Sequence, residues 1–195
     1  MPLELILASQ SPRRRWLLEE AGILFRAVSP RVEEATQDSH PDLTPPELAK
    51  LNARMKAECV ACEHPNAVVL AADTVVVCGG KVFGKPADRN DAVRMLTELS
   101  GRTHEVITAV IWLNHPANAI KEFIGRTCVT FKPLSERDIS AYLDQVSVMD
   151  KAGAYALQEQ GGDIVERIEG SRTNVIGLPM DPVRQWWQLD YQSAN

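Results

Sequence analysis

Leu3-Glu4-Leu5-Ile6-Leu7-Ala8-Ser9-Gln10-Ser11-Pro12-Arg13-Arg14-Arg15-Trp16-Leu17-Leu18 changes character within three residues. Leu3 to Ala8 is a short apolar run and reads as a buried strand. Ser9-Gln10-Ser11 is a turn, and Pro12 to Ala21 reads as a helix stopped at Gly22. Ser11 suits the N-cap and Pro12 the first helical position, where a missing N–H does no harm. A buried strand feeding directly into a helix is the opening unit of an α/β fold. The rest of the chain continues that alternation. Phe25 to Val32 reads as extended and Asp38 to Leu43 as loop. Thr44-Pro45-Pro46-Glu47 has capping-box spacing, so a helix is expected from Pro46 to Glu63. Ala67 to Cys78 is a second apolar strand, Gly79-Gly80 a two-residue hairpin turn, and Lys81 to Phe83 the return. Helices are expected at Asp88 to Ser100, after Ser135-Glu136-Arg137-Asp138 through Leu143, and at Pro182 to Leu189 with Trp186 and Trp187 partly buried. Strands are expected at Glu105 to Leu113, Phe123 to Phe131 and Ile164 to Ile168. The hairpin among strands joined by helices implies a mixed sheet.

Composition narrows the function. The 195 residues fit one domain, and a hydrophobic fraction of 45% is enough for a sizeable core. A net charge of −5 argues against a general nucleic-acid coat. No apolar run reaches the roughly 20 residues of a membrane span, and Met1 to Leu7 is too short for a signal peptide. These readings predict a cytoplasmic protein. Cys59 and Cys62 form a CxxC followed by His64. A structural zinc needs a second ligand pair, and Cys78 and Cys128 are too scattered to supply one. Leu48, Leu51, Met55, Cys59 and Cys62 share a helical face, which predicts core packing, with a redox role as the rival.

Three features carry chemistry. At the start of the first helix, backbone N–H groups and the positive end of the helix dipole meet Arg13, Arg14 and Arg15, a combination electrostatically unfavourable for the helix alone. A bound polyanion resolves the conflict, with Ser9 and Ser11 as further donors. The plain alternative is a solvated basic turn with Arg15 paired to Glu19. Second, Asp73 interrupts Ala67-Val68-Val69-Leu70-Ala71-Ala72-Asp73-Thr74-Val75-Val76-Val77, where a charge is costly unless paired, metal-bound or open to a cleft. Glu33-Glu34 offers a second carboxylate for a metal, although such a pair is ordinarily surface. Third, Gly79 to Lys85 fits the GxxxxGK part of a P-loop. Pro86 stands where Ser or Thr would hold magnesium, and the segment is a hairpin, so a Walker A reading fails. Lys85 remains able to contact phosphate as a point charge.

Together these pieces resemble the Maf family of nucleoside triphosphate pyrophosphatases. The resemblance rests on Leu7-Ala8-Ser9-Gln10-Ser11-Pro12-Arg13-Arg14, Glu33-Glu34, Lys56-Ala57, Ala72-Asp73-Thr74-Val75 and Gly84-Lys85-Pro86. Ser100 to His104, Asp150-Lys151-Ala152-Gly153-Ala154-Tyr155 with Gln158, and Gly177-Leu178-Pro179 complete it, all in family order. It departs at Ala72, where the family has glycine, and at Leu51 to Met55. The resemblance implies a single domain, 1–195, of two lobes around a long curved mixed sheet, related to inosine triphosphatase folds. It implies cleavage of a nucleoside triphosphate to the monophosphate and pyrophosphate, with Mg2+ or Mn2+. Asp-Thr and the later glutamine look like the branch acting on dTTP and UTP; the 7-methyl-GTP branch typically has Asp-Gln. On that comparison Asp73 is catalytic, and Glu34 with Asp73 holds metal. Ser9, Ser11, Arg13, Arg14, Lys56, Thr74, Lys85 and Gln158 bind substrate, with Arg13, Thr74 and Gln158 discriminating the base. A homodimer is expected from the family. The rivals are a nucleotide-binding regulator of septum formation without turnover and an enzyme of other base specificity, including for modified pyrimidines.

Overall fold

The computed structural model describes residues 3–158 and 163–192. β1 (Glu4–Ala8) runs into α1 (Pro12–Glu20), then β2 (Arg26–Val28), α2 (Pro45–Glu63), β3 (Ala67–Cys78), β4 (Lys81–Phe83) and α3 (Arg89–Leu99). After these come β5 (Thr103–Asn114), β6 (Ala119–Phe131), α4 (Glu136–Gln145), a tight turn at Ala152–Ala154, β7 (Val165–Glu169), α5 (Arg172–Ile176) and α6 (Met180–Trp187). Among the described residues seven strands form one mixed sheet in the order β2-β1-β3-β5-β6-β7, with β4 also on β3. The fold is the expected α/β domain. The caps form as their residue types require: Ser11 over Arg14, and reciprocal boxes at Thr44/Glu47 and Ser135/Asp138. The short α5 was not read from the sequence, and α6 begins two residues early, with Pro182 in its first turn, where no N–H is needed.

The strand β3 organises the site. β5 pairs antiparallel with it along one edge from Val68 to Val77. The other edge carries β1, in parallel, as far as Leu70, and β4, antiparallel, from Val76. From Ala71 to Val75 no described strand covers that edge. The expected two lobes are therefore the β1 and β4 ends of the sheet, and Asp73 and Thr74 stand between them. Strand alternation sends the two side chains to opposite faces.

On the Asp73 face, Ala71 and Val75 join a core with Ala49, Ala53, Ala57, Val60 and Ala61 of α2. Alanines every fourth residue let this helix sit close against β3 and β5. This corrects the cysteine expectation. The buried stripe follows the alanines, which leaves Leu51, Met55 and Cys59 half-buried on its flank and Cys62 exposed. On the Thr74 face there are two cores. Ala72 and Val110 pack with α1 and α6 residues, whereas Val76 and Val106 pack with α3 and α4 residues. Trp186 and Trp187 lie against the first, partly buried as expected. Among the described residues no helix is long and apolar enough to cross a membrane.

His104 of β5 is buried, edge-on to Phe131 and Tyr155, with Nε2 3.0 Å from the Tyr155 hydroxyl and Nδ1 without a partner among the described residues. Burial holds its pKa down from 6.5 to about 4. The unfolded chain thus takes up this proton before the folded one does. His104's contribution is complete above pH 6.5 and is lost as the pH falls toward 4, by up to about 3 kcal/mol. Urea midpoints followed from pH 7 to pH 4 should fall through this window, and His104→Gln should flatten the slope; an unaltered slope removes His104 from the acid response.

Candidate active site

The turn after β1 shows what the three arginines do. Ser9 is buried, and its Oγ accepts from the Ser11 N–H at 3.1 Å. Arg14 reaches back over this turn. Its Nη1 donates to Ser9 Oγ at 3.3 Å, its Nε to the Gly177 carbonyl at 2.8 Å and its Nη2 to Thr74 Oγ1 at 3.2 Å. All three acceptors are neutral, and among the described residues Arg14 forms no ion pair. Burial lowers its pKa, while the charges of Asp73 and Glu34 work in the opposite direction from nearby. Gly177 has a positive φ of 120°, and a Cβ there would lie 3.5 Å from Thr74 Oγ1 and 3.7 Å from Arg14 Nε. Those are ordinary contact distances, so it is the positive φ that calls for glycine here. Arg13 turns elsewhere: its Nη1 donates to Asp150 Oδ2 at 2.8 Å and its Nη2 to the Asp150 carbonyl at 3.2 Å. Arg15 is exposed.

On the other face of β3, Lys56 of α2 is buried and its Nζ lies 2.6 Å from Asp73 Oδ1 and 2.7 Å from Glu34 Oε1. Asn52, one turn earlier, donates to Asp73 Oδ2 at 3.4 Å and clamps the backbone of Ala35 with both ends of its amide. That clamp brings Glu34 up to Lys56, where its side chain stays 39% exposed. Lys85, just beyond β4, approaches Glu34 Oε2 at 3.2 Å. Burial alone would raise the Glu34 pKa, but Lys56 and then Lys85 outweigh it and bring it down to about 2.

The structure therefore gathers Ser9, Ser11, Arg14 and Thr74 into one hydrogen-bonded group and Glu34, Lys56, Asp73 and Lys85 into another. Arg13 stands apart with Asp150, and Gln158 is exposed. Asn52 and Asp150 were not singled out as site residues from sequence. Asp150 lay inside a segment quoted for the family resemblance, whereas an asparagine in mid-helix carries no signal of its own. Among the described residues no three His, Cys, Asp or Glu side chains are disposed to hold a metal by themselves. Two carboxylates sharing one ammonium do, however, suit a hard divalent cation of the kind that takes one or two carboxylates and completes its shell with substrate phosphates.

The family model described as Maf-like protein matches residues 4–188. A dTTP/UTP pyrophosphatase of Akkermansia muciniphila is 49% identical over 91% of this chain and 92% of its own length. Proteins of the same description from Bacillus velezensis and Carboxydothermus hydrogenoformans are 45% and 43% identical, over 92% and 94% of this chain and 93% and 99% of theirs.

Lys56→Met should leave the Asp73 carboxylate buried with only Asn52 beside it. A loss of about 3 kcal/mol in unfolding free energy is expected, readable by urea denaturation at pH 7. A change below about 0.5 kcal/mol would show that Asp73 does not depend on this ammonium.

Proposed function

The chain belongs to the Maf family, and from that premise we propose that it hydrolyses dTTP and UTP to the monophosphate and pyrophosphate. The observation that carries this reading is Arg14, a cation tied down at all three nitrogens by neutral oxygens, beside a second cluster in which Lys56 and Lys85 converge on carboxylates. A triphosphate laid across the uncovered edge of β3 would supply the anion that Arg14 lacks.

In the proposed reaction a water oxygen attacks the α-phosphorus, the bond to the bridging oxygen breaks, and pyrophosphate leaves. Asp73 accepts the water's proton. Lys56 and Asn52 hold one carboxylate oxygen each, so the orientation of the base is set before substrate arrives. Arg14, Arg13, Lys56 and Lys85 offset charge gathering on the leaving pyrophosphate, and the Ser9 and Ser11 hydroxyls add neutral donors. Glu34 and Asp73 are the residues that would hold Mg2+ or Mn2+ together with phosphate oxygens. Such an ion, when bound, polarises the phosphoryl group. Thr74 and Gln158 are assigned to the base edge, and Arg13 joins them in discriminating the substrate. The same reading takes 1–195 as one domain working in the cytoplasm on free nucleotides, without nucleic acid or membrane, and as a homodimer.

The test is pyrophosphate release from a panel of ribo- and deoxyribonucleoside triphosphates with Mg2+ or Mn2+. Preferential turnover of dTTP and UTP is expected, with Asp73→Asn lowering kcat by about a hundredfold or more while melting as the wild type does. Stoichiometric nucleotide binding without pyrophosphate release would favour a regulator over an enzyme, and near-wild-type turnover in Asp73→Asn would remove that residue from the chemistry.

A further inference from the structure

Between the two cores on the Thr74 face runs a row of polar and small residues. Thr74 of β3, Thr108 of β5 and Gly125 of β6 are cross-strand partners in register. Asn174 of α5 fills the space over Gly125: a Cβ there would lie 2.3 Å from Asn174 Oδ1. Thr108 and Asn174 have 0% exposure. Asn174 Nδ2 donates to the Val106 carbonyl and to Thr127 Oγ1, both at 3.0 Å, which pins α5 to the sheet. Its main-chain carbonyl is thereby held 3.0 Å from Thr108 Oγ1.

Counting protons along this row gives it a direction. A carbonyl oxygen only accepts, so the single hydroxyl proton of Thr108 is committed to Asn174. Thr108 Oγ1 is 2.9 Å from Thr74 Oγ1, and with its own proton spent it can only accept there. Thr74 must then be the donor, and its single proton points away from the cleft. Of the two lone pairs on Thr74 Oγ1, one takes the N–H of Arg14. What remains on Thr74 for a ligand is one lone pair and no proton.

We infer that Thr108, held by the Asn174 carbonyl, is a positioning residue that locks Thr74 as a hydrogen-bond acceptor, and that this polarity selects uracil and thymine over cytosine. Uracil and thymine present an N3–H donor, which the Thr74 lone pair accepts. Cytosine presents a bare N3, and two lone pairs would face each other. A glutamine amide such as Gln158 offers a donor at one end and an acceptor at the other, and turning it over serves either base. A hydroxyl whose proton is committed elsewhere has no such freedom. The inference rests on the assignment of Thr74 to the base.

The test is the ratio of kcat/KM for UTP over CTP, by pyrophosphate release, in the wild type, Thr108→Val and Thr108→Ser. Valine keeps the shape and removes the acceptor, which frees the Thr74 proton to turn toward the cleft. Thr108→Val should lower the ratio about tenfold or more, part of it a gain on CTP, and Thr108→Ser should restore it. An unchanged ratio in folded Thr108→Val overturns the inference, as does an equal loss on both nucleotides, the mark of a merely structural role. Should Thr108→Val not fold, the same ratio in Thr108→Ala decides. A wild type that turns over purine nucleotides alone would instead overturn the base assignment of Thr74, and this inference with it.

Discussion

A buried ammonium needs counter-charge, and in this protein Lys56 finds it on two separate segments, Asp73 of the central strand and Glu34 of the loop before α2. Desolvation penalises the buried Lys56 and Asp73, so each depends on the other, and Glu34, itself partly open to solvent, adds a second counter-charge. The constraint reaches outward from there. For Lys56 to touch β3, α2 must lie close to the sheet, and its alanine stripe allows this. For Glu34 to arrive, the loop must be held, and Asn52 holds it at Ala35. Charges held in place in this way by the protein's own contacts suit chemistry in which most of the work is charge stabilisation.

The uncovered stretch of β3 explains why this charge does not destabilise the core. An aspartate in the middle of a fully paired, fully covered strand would be sealed from water. Here pairing with β1 stops at Leu70 and pairing with β4 begins at Val76, so Asp73 and Thr74 sit where no described strand covers that edge, and the buried Asp73 meets Lys56 and Asn52 there. The same gap admits groups from both faces. Lys56 and Glu34 come from one side, and Arg14, threaded between Ser9 and Gly177, from the other. The Thr74–Thr108–Asn174 row lies where the two hydrophobic cores of that face meet; its hydroxyls, the Asn174 carbonyl and Asn174 Nδ2 bond within the protein, while Asn174 Oδ1 is buried without a partner among the described residues.

Much of this was legible in order of residues. The strand-to-helix switch at Ser9–Pro12, the capping boxes and the Gly79-Gly80 hairpin are local devices whose partners lie within four residues, and they formed as read. Asp73 declared itself because a charge in an apolar run demands an explanation. The cysteine face of α2 was misread because large apolar residues were weighed above alanines, although close helix-to-sheet approach favours the small residues.

Sequence by itself determined the alternation of strands and helices, the placement of one carboxylate in a buried strand and the crowding of cations at a helix start, because each follows from neighbours a few residues away. Tertiary structure alone decided which arginine turns inward, that Glu34, though exposed, reaches both Lys56 and Lys85, and where Asn52, Thr108, Asp150 and Asn174 find their distant partners. Their partners lie from 17 to 137 residues away along the chain. No local pattern encodes such a pairing. It exists only once the sheet has brought β3, β5 and β6 into register and α2 has closed over them.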